Sequence, residues 1–299
     1  MLIGKNEILG SDKKRKTLLV LGASGMLGNA VFREFLKLSE YQVFGTLRNE
    51  HSKRLFLAEA RFNLISGVDV ENTDNLVRLL ADVRPNVVIN CIGLVKQLSE
   101  AEDALCAIPM NALFPHRLAH FCAIFGARLV HMSTDCVFSG SKGMYLESDV
   151  SDAKDLYGKS KFLGEVDYPN AITLRSSIIG HELNGARSLV DWFLSQKGTV
   201  LGYKNAIFSG LPTIEIARVI RDFVLPHAEL QGVYHVSSEP INKYDLLCLV
   251  ANAYGKKIEI KPDEMLVIDR SLDSSRFRSA TGYKPKAWPD LVASMKSAG

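Results

Sequence analysis

Residues 18–28 read Leu18-Leu19-Val20-Leu21-Gly22-Ala23-Ser24-Gly25-Met26-Leu27-Gly28. A short aliphatic run enters a turn with glycine at every third position. The turn opens a stripe of Leu27, Val31, Phe35 and Leu38, spaced i, i+4, i+8 and i+11 as in a helix packed on a sheet. A glycine turn between a strand and a helix has a physical use. Gly22 permits the tight turn, Gly25 lets the backbone approach a pyrophosphate, Gly28 lets helix and strand pack closely, and the helix dipole favours the anion. The spacing is Gly-x-x-Gly-x-x-Gly rather than Gly-x-Gly-x-x-Gly, so its position at a strand-to-helix junction carries the reading. Gly22, Ser24, Gly25, Met26, Leu27 and Gly28 are therefore the candidate dinucleotide-binding turn.

Outward from this turn, β-branched or aliphatic runs at 17–21, 42–47, 87–92, 127–132, 171–174 and 233–236 alternate with helical segments. Such alternation marks a parallel sheet covered on both faces. A second helix is expected to begin at Thr73 or Asp74 and to stop before Pro85. The expected fold is α/β, a Rossmann-type doubly wound parallel sheet with a smaller, mostly C-terminal substrate-binding lobe. In residue terms this is an N-terminal arm over 1–16, an NAD(P)-binding domain over 17–175 with return elements near 211–236, and a lobe over 176–299.

The 299 residues hold 36 Lys and Arg against 33 Asp and Glu, a net charge of +3. That balance excludes a dedicated nucleic-acid binder, which needs a surface that neutralises many phosphates. Hydrophobic residues at 47% and charged residues at 23% fit a folded globular chain. No apolar run reaches the roughly 20 residues of a membrane span, and MLIGKNEILGSDKKRK lacks the apolar segment of a secretion signal. A cytoplasmic protein without a membrane partner is expected. Cys91, Cys106, Cys122, Cys136 and Cys248 include no C-x-x-C pair and read as reduced thiols. His116 and His120 stand i, i+4, but His-Arg-Leu-Ala-His lacks the Glu of a zinc-protease helix, so no metal site is expected. The basic run 13–16 reads as a solvated arm.

About twenty residues past the glycine turn, where an acidic residue would meet the ribose of NAD, the chain has Gly45-Thr46-Leu47-Arg48. Arg48 suits the 2′-phosphate of NADP instead, so NADP(H) is preferred; Glu50 nearby keeps NAD(H) as the alternative. Asp69 and Val70 are expected near the adenine, and Cys91, Ile92 and Gly93 beside the pyrophosphate and nicotinamide ribose. Tyr157-Gly158-Lys159-Ser160-Lys161 sets Tyr157 and Lys161 on one helix face. A phenol titrates near 10, and bringing it to 7 takes roughly 4 kcal/mol of preference for the phenolate, which an ammonium and a charged nicotinamide can supply. The pair follows Ser133-Thr134-Asp135, so the two motifs together form a candidate catalytic set.

The glycine turn, Asn90-Cys91-Ile92-Gly93, the run Ser133-Thr134-Asp135-Cys136-Val137-Phe138-Ser139-Gly140 and Tyr-x-x-x-Lys come in the order and spacing of the extended short-chain dehydrogenase/reductases. Within them the chain resembles the nucleotide-sugar 4-ketoreductases related to dTDP-4-dehydrorhamnose reductase. The likeness spans about Thr17 to Trp288, including 174–177, 210–213 and 269–273. It implies that Thr134 orients a substrate carbonyl, that Tyr157 gives it a proton, and that Lys161 lowers the Tyr157 pKa and holds the nicotinamide ribose. It also implies a nucleotide-diphospho-sugar substrate against Thr134, Asp135, Cys136, Tyr157 and Ile178, in surface polysaccharide biosynthesis. Related dehydratases carry Thr-Asp-Glu where this chain has Thr134-Asp135-Cys136, which favours simple ketone reduction. The reductase pattern has an aromatic residue at Cys136 and a Trp at Ile178, and the smaller residues here leave room for an acetamido sugar. A cofactor-retaining epimerase and a non-catalytic NADP-binding regulatory subunit are the alternatives, and a homodimer stays open.

Overall fold

The computed structural model describes residues 15–96 and 99–299, so most of the expected N-terminal arm lies outside the described residues. Seven strands form one parallel sheet: β1 (Lys16–Leu21), β2 (Tyr41–Thr46), β3 (Leu64–Ile65), β4 (Val87–Asn90), β5 (Arg128–Ser133), β6 (Ala171–Arg175) and β7 (Gly232–His235). Their order is β7-β6-β5-β4-β1-β2-β3, so chain direction across the sheet reverses between β1 and β4. A crevice opens beyond the carboxyl ends of strands at such a reversal.

The strands are apolar on both faces because each face is covered. Along β1, Leu18 and Val20 join one buried cluster while Leu19 and Leu21 join another, as the period-2 pleat requires. The first cluster takes in Val31, Phe32 and Phe35 of α1 (Met26–Phe35) and reaches Trp288, Leu291 and Met295 near the C-terminus. The second takes in Leu76, Leu79 and Leu80 of α2 (Thr73–Val83) and Phe114 and Leu118 of the helix Phe114–Ile124. The N-cap of α2 is Asn72, one residue before the expected start, because its side chain accepts from Asn75 N at 3.0 Å. Gly28 is fixed by close approach: a Cβ there would lie 2.1 Å from the carbonyl oxygen of Gly22.

Beyond β6 the strands outside the main sheet span two to five residues each. Ile178–Ile179 pairs with Leu211–Pro212, Thr199–Tyr203 with Glu259–Asp263, and Ala206–Phe208 with both Ile241–Asn242 and Ile268–Asp269. Within the return elements expected near 211–236, the chain is α-helical over Thr213–Val219 and then widens to a π-turn over Ile220–Val224. Arg128 at the start of β5 closes this end, donating to the carbonyls of Val224, His227 and Leu230 at 2.8, 2.9 and 3.0 Å. The Val224 carbonyl is among the terminal carbonyls that a helix leaves unpaired.

Candidate active site

A cleft of about 750 Å3 opens beyond the carboxyl ends of β1, β4 and β5. It is lined by Ser24, Gly25, Met26 and Leu27 from the glycine turn, by Cys91, Ile92 and Gly93 after β4, and by Thr134, Asp135 and Cys136 after β5. Tyr157, Lys161 and Ile178 complete the wall. Gly22 and Gly28 stand behind it and shape the turn. Most residues expected at the site are thus brought into one space.

The glycine turn suits a pyrophosphate. Gly25 caps α1 without a side-chain hydrogen bond, and no acidic residue stands in the first helical turn. The leading amides of α1 and its dipole are therefore available to an anion. Gly22 takes the left-handed conformation, φ 79°, which starts the turn.

Tyr157 and Lys161 stand on the helix Leu156–Leu163, capped by Asp155, which accepts from Gly158 N at 2.8 Å. The helix lies tight against the turn that follows β5: a Cβ on Gly158 would sit 2.3 Å from the Cys136 carbonyl oxygen and 2.5 Å from Ala153 Cβ. That contact holds Tyr157 against Thr134. The Thr134 hydroxyl accepts from Cys136 N at 3.1 Å and lies 3.2 Å from Asp135 Oδ1. Lys161 is buried and donates from Nζ to the Met132 carbonyl at 2.8 Å. A Cβ on Gly93 would lie 3.5 Å from Lys161 Nζ, so the ammonium sits beside the loop after β4.

The electrostatics differ from the sequence expectation in one respect. Burial pushes the Tyr157 phenol well above its usual value, reinforced by the charge of Cys136 and opposed by a hydrogen bond from Thr134. The protein alone therefore holds Tyr157 as a phenol rather than poising a phenolate. Burial pulls Lys161 down to about 8, against the charges of Glu165 and Cys91. Desolvation dominates both groups.

Besides Gly22 and Gly28, three expected cofactor residues do not line the cleft. Arg48 is exposed and pairs with Glu71 at 3.8 Å. Asp69 is exposed, its carboxylate accepting from Glu71 N at 3.1 Å. Val70 is buried in the second core cluster, since its side chain follows the apolar face rather than the rim. Glu50 bonds to Ser66 and to Lys53. His116 bonds to the Tyr168 hydroxyl and the Leu163 carbonyl, while the ring of His120 lies 4.9 Å from that of Tyr168.

Other residues emerge only from the packing. Asn111 sits in a π-turn, Ile108–Leu113, inside the helical run that ends at Ile124. Its side chain accepts from Leu94 N at 2.9 Å and donates to Ser160 Oγ at 3.2 Å, tying the loop after β4 to the Tyr157 helix. His131 lies beneath Lys161, kept neutral by burial and by that ammonium, and takes a hydrogen bond from Asn90 at 3.1 Å. Behind Thr134, Ser133 Oγ donates to Glu165 at 2.6 Å, and Arg175 grips the same carboxylate at 2.7 and 2.6 Å. The sequence signals within this network were Ser133, which opens the Ser-Thr-Asp motif, and Arg175, an arginine at the end of an apolar strand.

A parallel sheet with a glycine turn at its reversal point, and a Tyr-Lys pair on the helix facing the neighbouring strand end, defines a nucleotide-binding α/β protein of the short-chain dehydrogenase/reductase type. Within it the chain belongs to the family described as the RmlD substrate binding domain, whose profile it matches over residues 16–295. It is 29% identical over 258 residues to methionine adenosyltransferase 2 subunit beta of Danio rerio, covering 80% of this chain and 74% of that protein. It is 23% identical over 305 residues to dTDP-4-dehydrorhamnose reductase of Aggregatibacter actinomycetemcomitans, covering 94% and 98%. Among solved structures, dTDP-4-dehydrorhamnose reductase from Bacillus anthracis in complex with NADP superposes with a TM-score of 0.79 at 20% identity, over 97% of this chain and all of that one.

Proposed function

We propose that the protein is an NADPH-dependent reductase of the 4-keto group of a nucleotide-diphospho-4-keto-6-deoxyhexose, with NADH as the weaker donor. The observation that carries this reading is the convergence of Thr134, Tyr157 and Lys161 on a cleft that also holds the open N-terminus of α1. The amides of Ser24 to Leu27 would take the pyrophosphate, and Lys161 and the loop Cys91–Gly93 the nicotinamide ribose. The bound cofactor supplies the hydride. Thr134 orients the carbonyl, and Tyr157, held as a phenol, gives its proton to the oxygen as the carbonyl is reduced. Arg48 would exchange Glu71 for the 2′-phosphate, a small cost for an exposed pair, with Asp69 and Val70 beside the adenine. The lobe over 176–299 and the small residues Cys136 and Ile178 would receive the sugar.

The test is the absorbance of the reduced nicotinamide while NADPH is offered with 4-keto-6-deoxy sugars on dTDP and on UDP, with and without a 2-acetamido group. Oxidation with one of them supports the reading and names the sugar; oxidation with none overturns it. A second reading has its own support, the relatives named as a subunit of methionine adenosyltransferase 2. On that reading the chain binds the dinucleotide and a partner enzyme, its NADPH affinity survives Tyr157→Phe, and it comigrates with the catalytic subunit of a methionine adenosyltransferase in size-exclusion chromatography.

A further inference from the structure

A second cavity, of about 260 Å3, lies between α1, the segment after Ile178–Ile179, the start of the helix Thr213–Val219 and the C-terminal helix Trp288–Ala298. Asn29, Arg33 and Lys37 recur at i, i+4 and i+8, which gives α1 a polar stripe along this space beside the apolar stripe that covers the sheet. Met26, Leu183, Ile214 and Met295 supply apolar walls. The cavity and the cleft share Met26, Glu182 and Leu183 and otherwise have separate walls.

Most polar side chains of this wall are already committed. His181 bonds through Nδ1 to Asp191 at 2.6 Å and through Nε2 to the Tyr254 hydroxyl at 2.7 Å. Lys37 pairs with Glu34 at 2.9 Å, and Arg33 donates to the Ala298 carbonyl at 3.2 Å. Glu182 accepts from Arg187 N at 3.0 Å, and Ser297 donates to the Ser294 carbonyl at 2.9 Å. Asn29 and Thr213 are the exceptions. They are 7% and 6% exposed, and among the described residues neither side chain has a hydrogen-bond partner. Thr213 Oγ1 backs onto glycine, since a Cβ on Gly180 would sit 2.5 Å from it. A buried amide without a partner forfeits its hydration and gains nothing in return. The charged side chains of the wall, Arg33 and Lys37 against Glu34 and Glu182, cancel, so the space favours an uncharged guest. Its volume falls below that of cavities for drug-sized ligands and gives room for a single ring with its substituent.

We propose that this cavity is a second small-molecule site, for an uncharged ligand that presents a primary carboxamide to Asn29 and Thr213 and an apolar ring to Met26, Leu183, Ile214 and Met295. A carboxamide matches Asn29 because each amide offers the other an N–H donor and a carbonyl acceptor. The site goes beyond the reductase reading and does not depend on it. The test is a nuclear magnetic resonance titration of the full chain, saturated with NADPH so that the cleft is filled. The probes are benzamide, and acetophenone and benzoate, which lack the N–H donor. The titrations are repeated on Asn29→Leu and on Ala30→Met, which keeps Asn29 and fills the space from the wall of α1. Benzamide should bind the NADPH-loaded parent and shift the Asn29 side-chain amide resonance, with acetophenone and benzoate weaker by about tenfold or more. Each variant should lose about tenfold or more in benzamide affinity while its NADPH affinity changes by less than about twofold. Ala30→Met decides the matter should Asn29→Leu fail to fold. The proposal is overturned if benzamide fails to bind, competes with NADPH, or binds either folded variant as tightly as the parent. Acetophenone or benzoate binding as tightly as benzamide overturns it equally. Failure of NADPH oxidation with intact benzamide binding would sink the reductase reading and leave this site standing.

Discussion

Replacing Arg175 by Met would leave the Glu165 carboxylate, only 4% exposed, without its cation. The pair is bidentate, with Arg175 Nε and Nη2 at 2.7 and 2.6 Å from the two carboxylate oxygens, and Ser133 adds a third hydrogen bond at 2.6 Å. Breaking one side of a buried pair costs about 3–5 kcal/mol, because the remaining charge keeps its desolvation penalty and loses its compensation. In a chain of this size that corresponds to a fall in Tm on the order of 10 °C. Arg175→Met and Glu165→Leu should each show this loss in thermal and urea unfolding. The double variant should be less destabilised than the sum of the two, since no buried charge remains. It should not return fully to the parent: Ser133 Oγ loses its acceptor and His235 Nε2 its neighbour at 3.2 Å, each worth about 1 kcal/mol. If the two single effects add to within about 0.5 kcal/mol, the pair is not coupled and the reasoning fails.

Three further outcomes follow from the same packing. Tyr157→Phe removes the only hydroxyl assigned to proton donation, so turnover should fall by about 10^2–10^4 while NADPH affinity, read by fluorescence, is kept; an unchanged rate would remove Tyr157 from the chemistry. Gly28→Ala puts a methyl 2.1 Å from the Gly22 carbonyl oxygen, which should cost roughly 1–3 kcal/mol and weaken NADPH binding, and a fully stable, fully binding variant would contradict the tight turn. His235 is held down to about 4 by burial and by the charge of Arg175, so the unfolded chain binds a proton there between about pH 6.5 and 4 that the folded chain does not. Stability should therefore fall as pH drops through that window. Urea midpoints at pH 7 and pH 5 should converge in His235→Gln, and an equal acid loss in that variant would refute the assignment.

What local sequence could determine, it determined. The glycine turn, the strand runs and the i, i+4 spacing of Tyr157 and Lys161 depend on residues close along the chain, where periodicity and steric freedom decide the outcome. The strand runs were legible because buried parallel strands are apolar on both faces, and β1, β4, β5 and β6 formed within two residues of the expected ends. Arg48 was legible as a cation at the end of β2, whereas its pairing with Glu71 was not, since that depends on how the loop after β3 returns.

Tertiary structure decided the rest. Asn111 lies 50 residues before Lys161 along the chain and reaches the site through a π-turn, an irregularity with no fixed sequence pattern. Glu165, Arg175 and His235 join across β6 and β7. The pKa of Tyr157 shows the limit most clearly. Spacing alone puts Lys161 on the same helix face as the phenol, but burial, which exists only after distant segments have closed over the helix, holds the proton on the oxygen.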